Sequence, residues 1–269
     1  MNNQPIGVLD SGVGGLTVWK EIIKELPNES TIYIGDSKNA PYGKKTPKEI
    51  RQLASKLISF LLKQNVKLIV IACNTITVNG IDKLRQEFPN VPIIGTVPVI
   101  KAAVNSTKNK KIGLLSTEAT AKSKYNRDLI KKFASNLMVI TVATNKLVPL
   151  IEANNKLELK KILSKELIPF RREGVDVVIL GSTHFPIIRA EIQKILGREV
   201  TVLDSGPAIS RQVKRVLKAN DTLSSARKTK HILYTTGKRK QFKEVTNLLV
   251  FDKGRTLIKN TTILRSDLK

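Results

Sequence analysis

The chain has one cysteine, two histidines and few aromatic residues among its 269 residues. A lone cysteine, Cys73, cannot form an internal disulfide and provides no Cys-x-x-Cys or Cys/His cluster for zinc. Because His184 and His231 are the only imidazoles, the sequence argues against a dedicated transition-metal site. We therefore expect a protein that binds no metal.

Long apolar runs are also lacking. No segment approaches the ~20 uninterrupted apolar residues of a membrane span. The first residues, Met1 to Pro5, lack the basic and apolar regions of a signal peptide. With 41% apolar residues the chain can still bury a substantial core. We therefore expect a globular protein with a cytoplasmic location.

Acidic residues are scarce, since 47 Lys and Arg face 22 Asp and Glu and give a formal charge of +25. The excess is greatest from Arg211 to Lys269, where 16 basic residues face four acidic ones. Such a charge attracts polyanions. However, only 4% of the residues are aromatic, which argues against a surface that stacks the bases of single-stranded nucleic acid. A solvated basic surface is the favoured interpretation, and a weak electrostatic contact with nucleic acid is the alternative.

One stretch, residues 66–79, organises the rest of the chain. A run rich in β-branched residues is followed directly by Cys73, Asn74 and Thr75. This pattern is typical of a buried parallel strand whose carboxyl end places polar side chains in a cleft. Roughly 110 residues later the pattern returns in residues 175–184 and aligns Ser182 with Cys73. Residues 111–116 echo residues 5–10 in the same way. The echoes indicate a duplication, with coincidence between generic buried strands as the alternative.

Strands and helices alternate along the chain, which predicts mainly parallel sheets flanked by helices. We predict an α/β fold of two similar lobes related by a pseudo-two-fold axis, with the active site between them. The first lobe takes residues 1–97 plus 208–269, and the second takes residues 98–207. Among the predicted helices are one over 47–64 capped by Thr46 and one from about Val78 to Glu87.

Two loops follow strands of the first lobe. Asp10, Ser11 and the glycines at 12, 14 and 15 match no phosphate-binding motif, and Asp10 would repel phosphate. The loop suits a small zwitterion, whose carboxylate meets backbone amides and whose ammonium meets Asp10; a simple tight turn is the alternative. In the second loop, Pro41 and Gly43 constrain the backbone and hold Tyr42 in a defined direction.

A ligand approached from opposite faces by two acid–base groups could lose a proton on one side and gain one on the other. Cys73 is a candidate base, because neighbouring donors and positive charge can bring a thiol pKa of ~8.5 near neutrality. A lone buried cysteine is otherwise usually a small hydrophobe.

Four motifs together resemble those of the bacterial glutamate racemases, in the aspartate/glutamate racemase superfamily. They are Asp10 to Leu16, Gly35-Asp36 with Ala40 to Gly43, Ala72 to Thr75, and Leu180 to Pro186. The resemblance implies an isomerase that interconverts L- and D-glutamate for peptidoglycan, without pyridoxal phosphate or any other cofactor. A homodimer stays open as the assembly.

The resemblance also implies residue roles. Cys73 would exchange the α-proton on one face with help from Asp10, and Glu152 and His184 would serve the opposite face. The implied substrate-binding residues are Asp10, Ser11, Tyr42, Gly43, Asn74, Thr75, Thr117, Thr120, Thr183 and His184.

The sequence departs from the family at Ser182, where relatives have the second catalytic cysteine. A serine hydroxyl is a far weaker acid than a thiol. His184 could activate Ser182 only if the side chains of these two residues, i and i+2, point in the same direction, as they do in an extended chain. Three interpretations follow: a slow or asymmetric racemase, a single-thiol relative that decarboxylates or isomerises another dicarboxylate, and an inactive binder, whether natural or an engineered Cys-to-Ser variant.

Overall fold

The computed structural model describes residues 2–250 and 261–265. The chain divides into two compact units, of which unit 1 comprises 1–96 with 206–269 and unit 2 comprises 97–205. The first boundary between the units lies one residue before the predicted boundary, and the second lies two residues before it. The basic region from residue 211 to the carboxyl terminus falls partly outside the described residues.

Unit 1 contains a parallel sheet with helices on both faces. Its first run contains β1 (Ile6–Asp10), α1 (Leu16–Glu25), β2 (Thr31–Gly35), α2 (Pro47–Lys63), β3 (Leu68–Ile71), α3 (Asn74–Glu87) and β4 (Ile93–Gly95).

Unit 2 follows with α4 (Ile100–Ser106), β5 (Lys111–Ser116), α5 (Glu118–Lys122), α6 (Lys124–Phe133), β6 (Met138–Ala143), α7 (Leu147–Glu152), α8 (Lys156–Glu166), α9 (Ile168–Glu173), β7 (Val177–Gly181), α10 (Arg189–Leu196) and β8 (Thr201–Asp204). The chain then returns to unit 1 with α11 (Gly206–Ala219), β9 (His231–Thr235), α12 (Arg239–Val250) and β10 (Thr261–Arg265).

The strand order repeats between the units. Unit 1 has the order β10-β9-β2-β1-β3-β4 and unit 2 has β6-β5-β7-β8, so four strands of each occur in the same sequence. The register agrees as well, since Leu9 pairs with Ile71 and Leu115 pairs with Leu180. Cys73 and Ser182 each follow the paired residue by two positions. The predicted echo between the two stretches thus corresponds to equivalent strands, and the two-lobe parallel α/β fold is confirmed.

Alternate strand residues pack on opposite faces of each sheet, as strand geometry requires. In β3, Leu68 and Val70 contact one hydrophobic cluster, which includes Trp19 of α1 and Val213 of α11. Ile69 and Ile71 contact the other, which α2 covers. Both faces are therefore buried, which explains the uninterrupted apolar run of this strand.

The start of α2 agrees with the sequence. Thr46 caps the helix by accepting a hydrogen bond from the Glu49 N–H at 3.3 Å, and the Glu49 carboxylate accepts from the Thr46 N–H at 2.8 Å. Such a capping box stabilises a helix by about 1 kcal/mol.

The start of α3 differs from the prediction of about Val78. The helix begins at Asn74 with Cys73 as its N-cap residue, and the Thr77 N–H already bonds to the Cys73 carbonyl. The β-branched residues in this turn have low helix propensity, but Ile76 is completely buried in the core. Tertiary packing therefore extends the helix to the end of the strand.

Candidate functional site

The polar residues of unit 1 gather at the carboxyl edge of its sheet. Asp10 is the last residue of β1, Asp36 follows β2, and Cys73 lies two residues beyond β3. These three strands are adjacent and parallel, so their carboxyl ends meet at one edge.

The Asp10 loop is held by close backbone contacts. The Asp10 carboxylate is completely buried and accepts the Gly12 N–H at 2.9 Å. Tyr33 donates its hydroxyl to the Gly12 carbonyl at 2.7 Å. A Cβ at position 15 would lie 2.5 Å from the Asp10 Cβ, so this position requires glycine. The glycines therefore fix the Asp10 carboxylate in place.

The Cys73 thiol lies 3.4 Å from the Ser11 hydroxyl and is 5% exposed. Burial raises its pKa to about 12, and the Asp10 carboxylate adds to the increase, because both disfavour a thiolate. The Ser11 hydroxyl and the backbone N–H groups of Ile76 and Ser11 oppose the increase without cancelling it. The expectation of a pKa near neutrality is therefore wrong for the ligand-free protein. The neighbouring charge is negative, and the thiol is buried.

Asn74 and Thr75 lie in the first turn of α3 and are 4% and 5% exposed. Among the residues that the structure describes, none donates a hydrogen bond to the buried Asn74 Oδ1 atom. A buried carbonyl oxygen without a donor costs free energy. It can therefore accept a hydrogen bond from a ligand that reaches this edge.

Asp36 organises the loop that carries Tyr42, a role that the sequence analysis missed. Its completely buried carboxylate accepts the Tyr42 hydroxyl at 2.6 Å, the Thr236 hydroxyl at 2.6 Å and the Asn39 amide at 3.0 Å. Burial and the Asp36 charge raise the pKa of Tyr42 far above its usual value, so the hydroxyl stays a donor to Asp36. Gly43 follows in a short 3₁₀ turn, Tyr42–Lys44.

Thr236 comes from the end of β9, a segment to which the sequence analysis assigned no chemistry. Its hydroxyl also accepts the Lys38 N–H at 3.1 Å, which adds a second contact to the same loop. The sequence signal for this segment is the turn at Tyr234 to Gly237.

Unit 2 carries its polar residues at the corresponding edge. Thr117 is the N-cap residue of α5, and its hydroxyl accepts the Thr120 N–H at 3.4 Å and donates to the Thr120 hydroxyl at 3.1 Å. Ser182, Thr183 and His184 follow β7 and are 5–6% exposed.

His184 pairs with Glu152, the last residue of α7. The His184 Nε2 atom lies 2.9 Å from the Glu152 Oε1 atom. The Ser182 hydroxyl accepts the backbone N–H of His184 at 3.4 Å. Residues 182–184 form a turn rather than the extended chain that a relay from Ser182 to the imidazole requires. The geometry favours a histidine–carboxylate pair over an activated serine.

The predicted residues thus form one set in each unit. In unit 1, Ser11 contacts Cys73, with Asp10 and Asn74 on the same edge. In unit 2, His184 contacts both Glu152 and Ser182. Residues 2–250 and 261–265 contain no cluster of three or more His, Cys, Asp or Glu suited to a metal ion. None of the helices described is long and apolar enough to span a membrane.

Comparison with known proteins gives a consistent result. A family model for Asp/Glu/hydantoin racemases matches residues 6–213. The glutamate racemase of Enterococcus faecalis is 39% identical over 249 residues, which are 91% of this chain and 91% of that protein. The glutamate racemase of Clostridium novyi is 42% identical over 226 residues, which are 83% of this chain and 87% of that protein.

Solved structures agree. Glutamate racemase isoform RacE1 from Bacillus anthracis has a TM-score of 0.89 at 31% identity, covering 100% of this chain and 99% of that one. The Francisella tularensis glutamate racemase, solved in complex with D-glutamate, has a TM-score of 0.83 at 32% identity, with 98% of both chains covered. The family resemblance predicted from the motifs is confirmed. The chain belongs to the Asp/Glu/hydantoin racemase family, and the relatives compared above are glutamate racemases.

Proposed function

We propose that this protein interconverts L- and D-glutamate by moving the α-proton, and that the D-glutamate serves peptidoglycan synthesis. The observation that carries this proposal is the Cys73 thiol, which contacts Ser11 and lies under the influence of the Asp10 carboxylate. Membership of the racemase family supports the choice of substrate.

The raised pKa gives Cys73 a defined starting state. Without ligand it is a thiol, which can donate a proton to a carbanion at Cα. To act as a base it must lose its proton, and the ammonium group of glutamate beside Asp10 would compensate the carboxylate charge and lower the thiol pKa. The thiolate then takes the α-proton, and the C–H electron pair remains on Cα until a proton returns on the other face.

We assign substrate binding to hydroxyl, amide and backbone groups at the two edges. The Asn74 Oδ1 atom, which lacks a donor within the described part of the chain, accepts from the ammonium. The Tyr42 hydroxyl donates to Asp36, so it can only accept from the substrate. The other groups assigned to the substrate are Asp10, Ser11, Gly43, Thr75, Thr117, Thr120, Thr183 and His184.

The opposite face has a weaker acid–base group than Cys73. We propose that His184, oriented by Glu152, exchanges the proton there in place of the thiol that Ser182 lacks. Loss of a catalytic base commonly costs ~10²–10⁴-fold in rate. Turnover should therefore be slow, and exchange at the Cys73 face should be faster than inversion.

Deuterium exchange tests the proposal directly. Purified protein is incubated with each glutamate enantiomer in D₂O, and NMR follows the α-proton while polarimetry follows inversion. Exchange from one enantiomer that outpaces inversion supports a working Cys73 with a weak partner. Absence of exchange from both enantiomers would refute racemisation, and exchange only with other dicarboxylates would identify a single-thiol relative with a different substrate.

The Ser182→Cys variant tests the defect at the second face. A thiol there should raise the inversion rate ~10²–10⁴-fold. The Ser164→Cys variant, on the exposed surface of unit 2, controls for an added thiol and should leave the rate unchanged. Equal rates for the Ser182→Cys variant and the original chain would place the limitation elsewhere.

The cytoplasmic location, the homodimer and the weak contact with nucleic acid stay predictions. Sedimentation at several protein concentrations tests the dimer. A salt titration of DNA affinity tests the electrostatic contact, because such an affinity should fall steeply with salt.

A further inference from the structure

A basic groove lies between the polar faces of α2 and α3 in unit 1, next to the loop that carries Tyr42. Its volume is about 860 Å³, within the range of sites for nucleotide-sized ligands rather than single ions. Its cations are Lys45, Lys48, Arg51, Lys56 and Lys83. Three of them recur on α2 at positions 48, 51 and 56, a spacing that places them on one helix face.

Basic residues outnumber acidic ones in this groove, with five cations against Glu49 and Glu87. Among the described residues, none of the five forms an ion pair. The two carboxylates in the groove are engaged by hydroxyl groups, Glu49 by Thr46 at 2.7 Å and Glu87 by Ser55. Hydrogen bonds from Thr46 and the charge of Lys45 lower the pKa of the Glu49 carboxyl, so Lys48, Arg51, Lys56 and Lys83 are the cations available to a ligand.

One of the cations is built into the helix pair. A Cβ at position 80 of α3 would lie 2.7 Å from the Arg51 Cγ atom, so Gly80 provides the space for the Arg51 stem. Glycine inside a helix is less favourable than alanine. That cost is consistent with a groove in which the position of Arg51 matters.

We propose that this groove binds a soluble, multiply charged phosphate compound. Several cations that line one groove match an anion with several adjacent phosphates. The lining residues that the structure describes include no aromatic ring, which argues against recognition through stacked bases.

The groove is connected to the Tyr42 loop. Asn39 lines the groove and donates its amide to Asp36, which also accepts the Tyr42 hydroxyl. Lys45 lines the groove and donates its N–H to the Tyr42 carbonyl at 3.0 Å. A bound anion therefore contacts both ends of the loop and should change the KM for glutamate, a link that rests on the proposed function.

Calorimetry with inorganic tripolyphosphate tests the site independently of any activity. The triple variant Lys48→Gln, Lys56→Gln, Lys83→Gln should weaken binding at least ~10-fold, since three charge contacts are lost. The control is Lys131→Gln, Lys160→Gln, Lys165→Gln, which removes the same charge from exposed positions of unit 2 and should change binding less than ~2-fold.

Three results would overturn the site: no saturable binding, equal weakening in both triple variants, or tighter groove-dependent binding of a single-stranded oligonucleotide, which would make nucleic acid the occupant. Glutamate KM measured with and without saturating tripolyphosphate tests the link, and an unchanged KM in an active enzyme would refute it.

Discussion

The Cys73 pKa is the most direct test of the site, and the Asp10→Asn variant is the perturbation that isolates its electrostatic cause. Asparagine keeps a side-chain oxygen for the Gly12 N–H and removes the negative charge. In the folded protein the thiol pKa is raised from 9.0 to about 12, mainly by burial and secondly by the charge of Asp10. A shift of this size corresponds to about 4 kcal/mol against ionisation.

This shift sets the thiolate population. At pH 8 a thiol with a pKa of about 12 is ionised in about one molecule in 10⁴, whereas one with a pKa of 9.0 is ionised in about one in ten. Removing the Asp10 charge should lower the pKa by about one unit and raise the thiolate fraction about tenfold. The burial contribution remains, so the pKa should stay above 9.0.

Alkylation by iodoacetamide provides the assay, because Cys73 is the only cysteine and the thiolate is the reacting form. The logarithm of the rate should rise linearly with pH and bend at the thiol pKa, at about 12 in the original chain and about one unit lower in the Asp10→Asn variant. The position of the bend does not depend on reagent access. Circular dichroism at each pH confirms the fold.

The Ser11→Ala variant is the matched control, because it removes a hydrogen bond that lowers the pKa and should slow alkylation. A bend below pH 9 in the original chain, or identical profiles for the original and Asp10→Asn proteins, would refute the assigned cause of the shift.

Three further predictions concern stability. Burial lowers the pKa of His231 from 6.5 to about 4. Below pH 6.5 the folded state therefore binds fewer protons than the unfolded state. The free energy of unfolding should fall by about 2 kcal/mol between pH 7 and 5. Urea unfolding should show this loss, and His231→Gln should remove it. The Lys67–Glu29 ion pair is buried, with atoms 2.7 Å apart, so Lys67→Met should cost about 3–5 kcal/mol and a second change, Glu29→Leu, should restore much of it. Gly15→Ala should reduce the melting temperature and activity together, since the new Cβ overlaps Asp10; wild-type values of both would contradict the close approach.

Elements with a local cause were predictable from the sequence. The Thr46 cap depends on residues three positions apart, and strand β5, Lys111–Ser116, coincides with the stretch that echoes residues 5–10. The repeated strand order followed from a similarity between two short stretches, because a buried parallel strand requires an apolar run with a polar end.

Features with a distant cause were not predictable. The Cys73 pKa depends on desolvation and on Asp10, which lies 63 positions away in the chain. The role of Asp36 depends on Thr236, which β9 brings beside β2. In α3, packing of Ile76 overrides local propensity and moves the helix start from Val78 to Asn74. Neither burial nor distant pairing can be read from neighbouring residues.

The contact between Asp36 and Thr236 also sets an order for folding during synthesis. Strand β2 pairs in parallel with β9, which begins at His231. All of unit 2, residues 97–205, leaves the ribosome before β9 does. Domains generally fold as units while translation continues. Unit 2 can therefore fold before β9 is available to pair with β2 of unit 1. The Tyr42 loop therefore gains its full support only after β9 and Thr236 have been synthesised, and a nascent chain that stops before residue 231 would lack it.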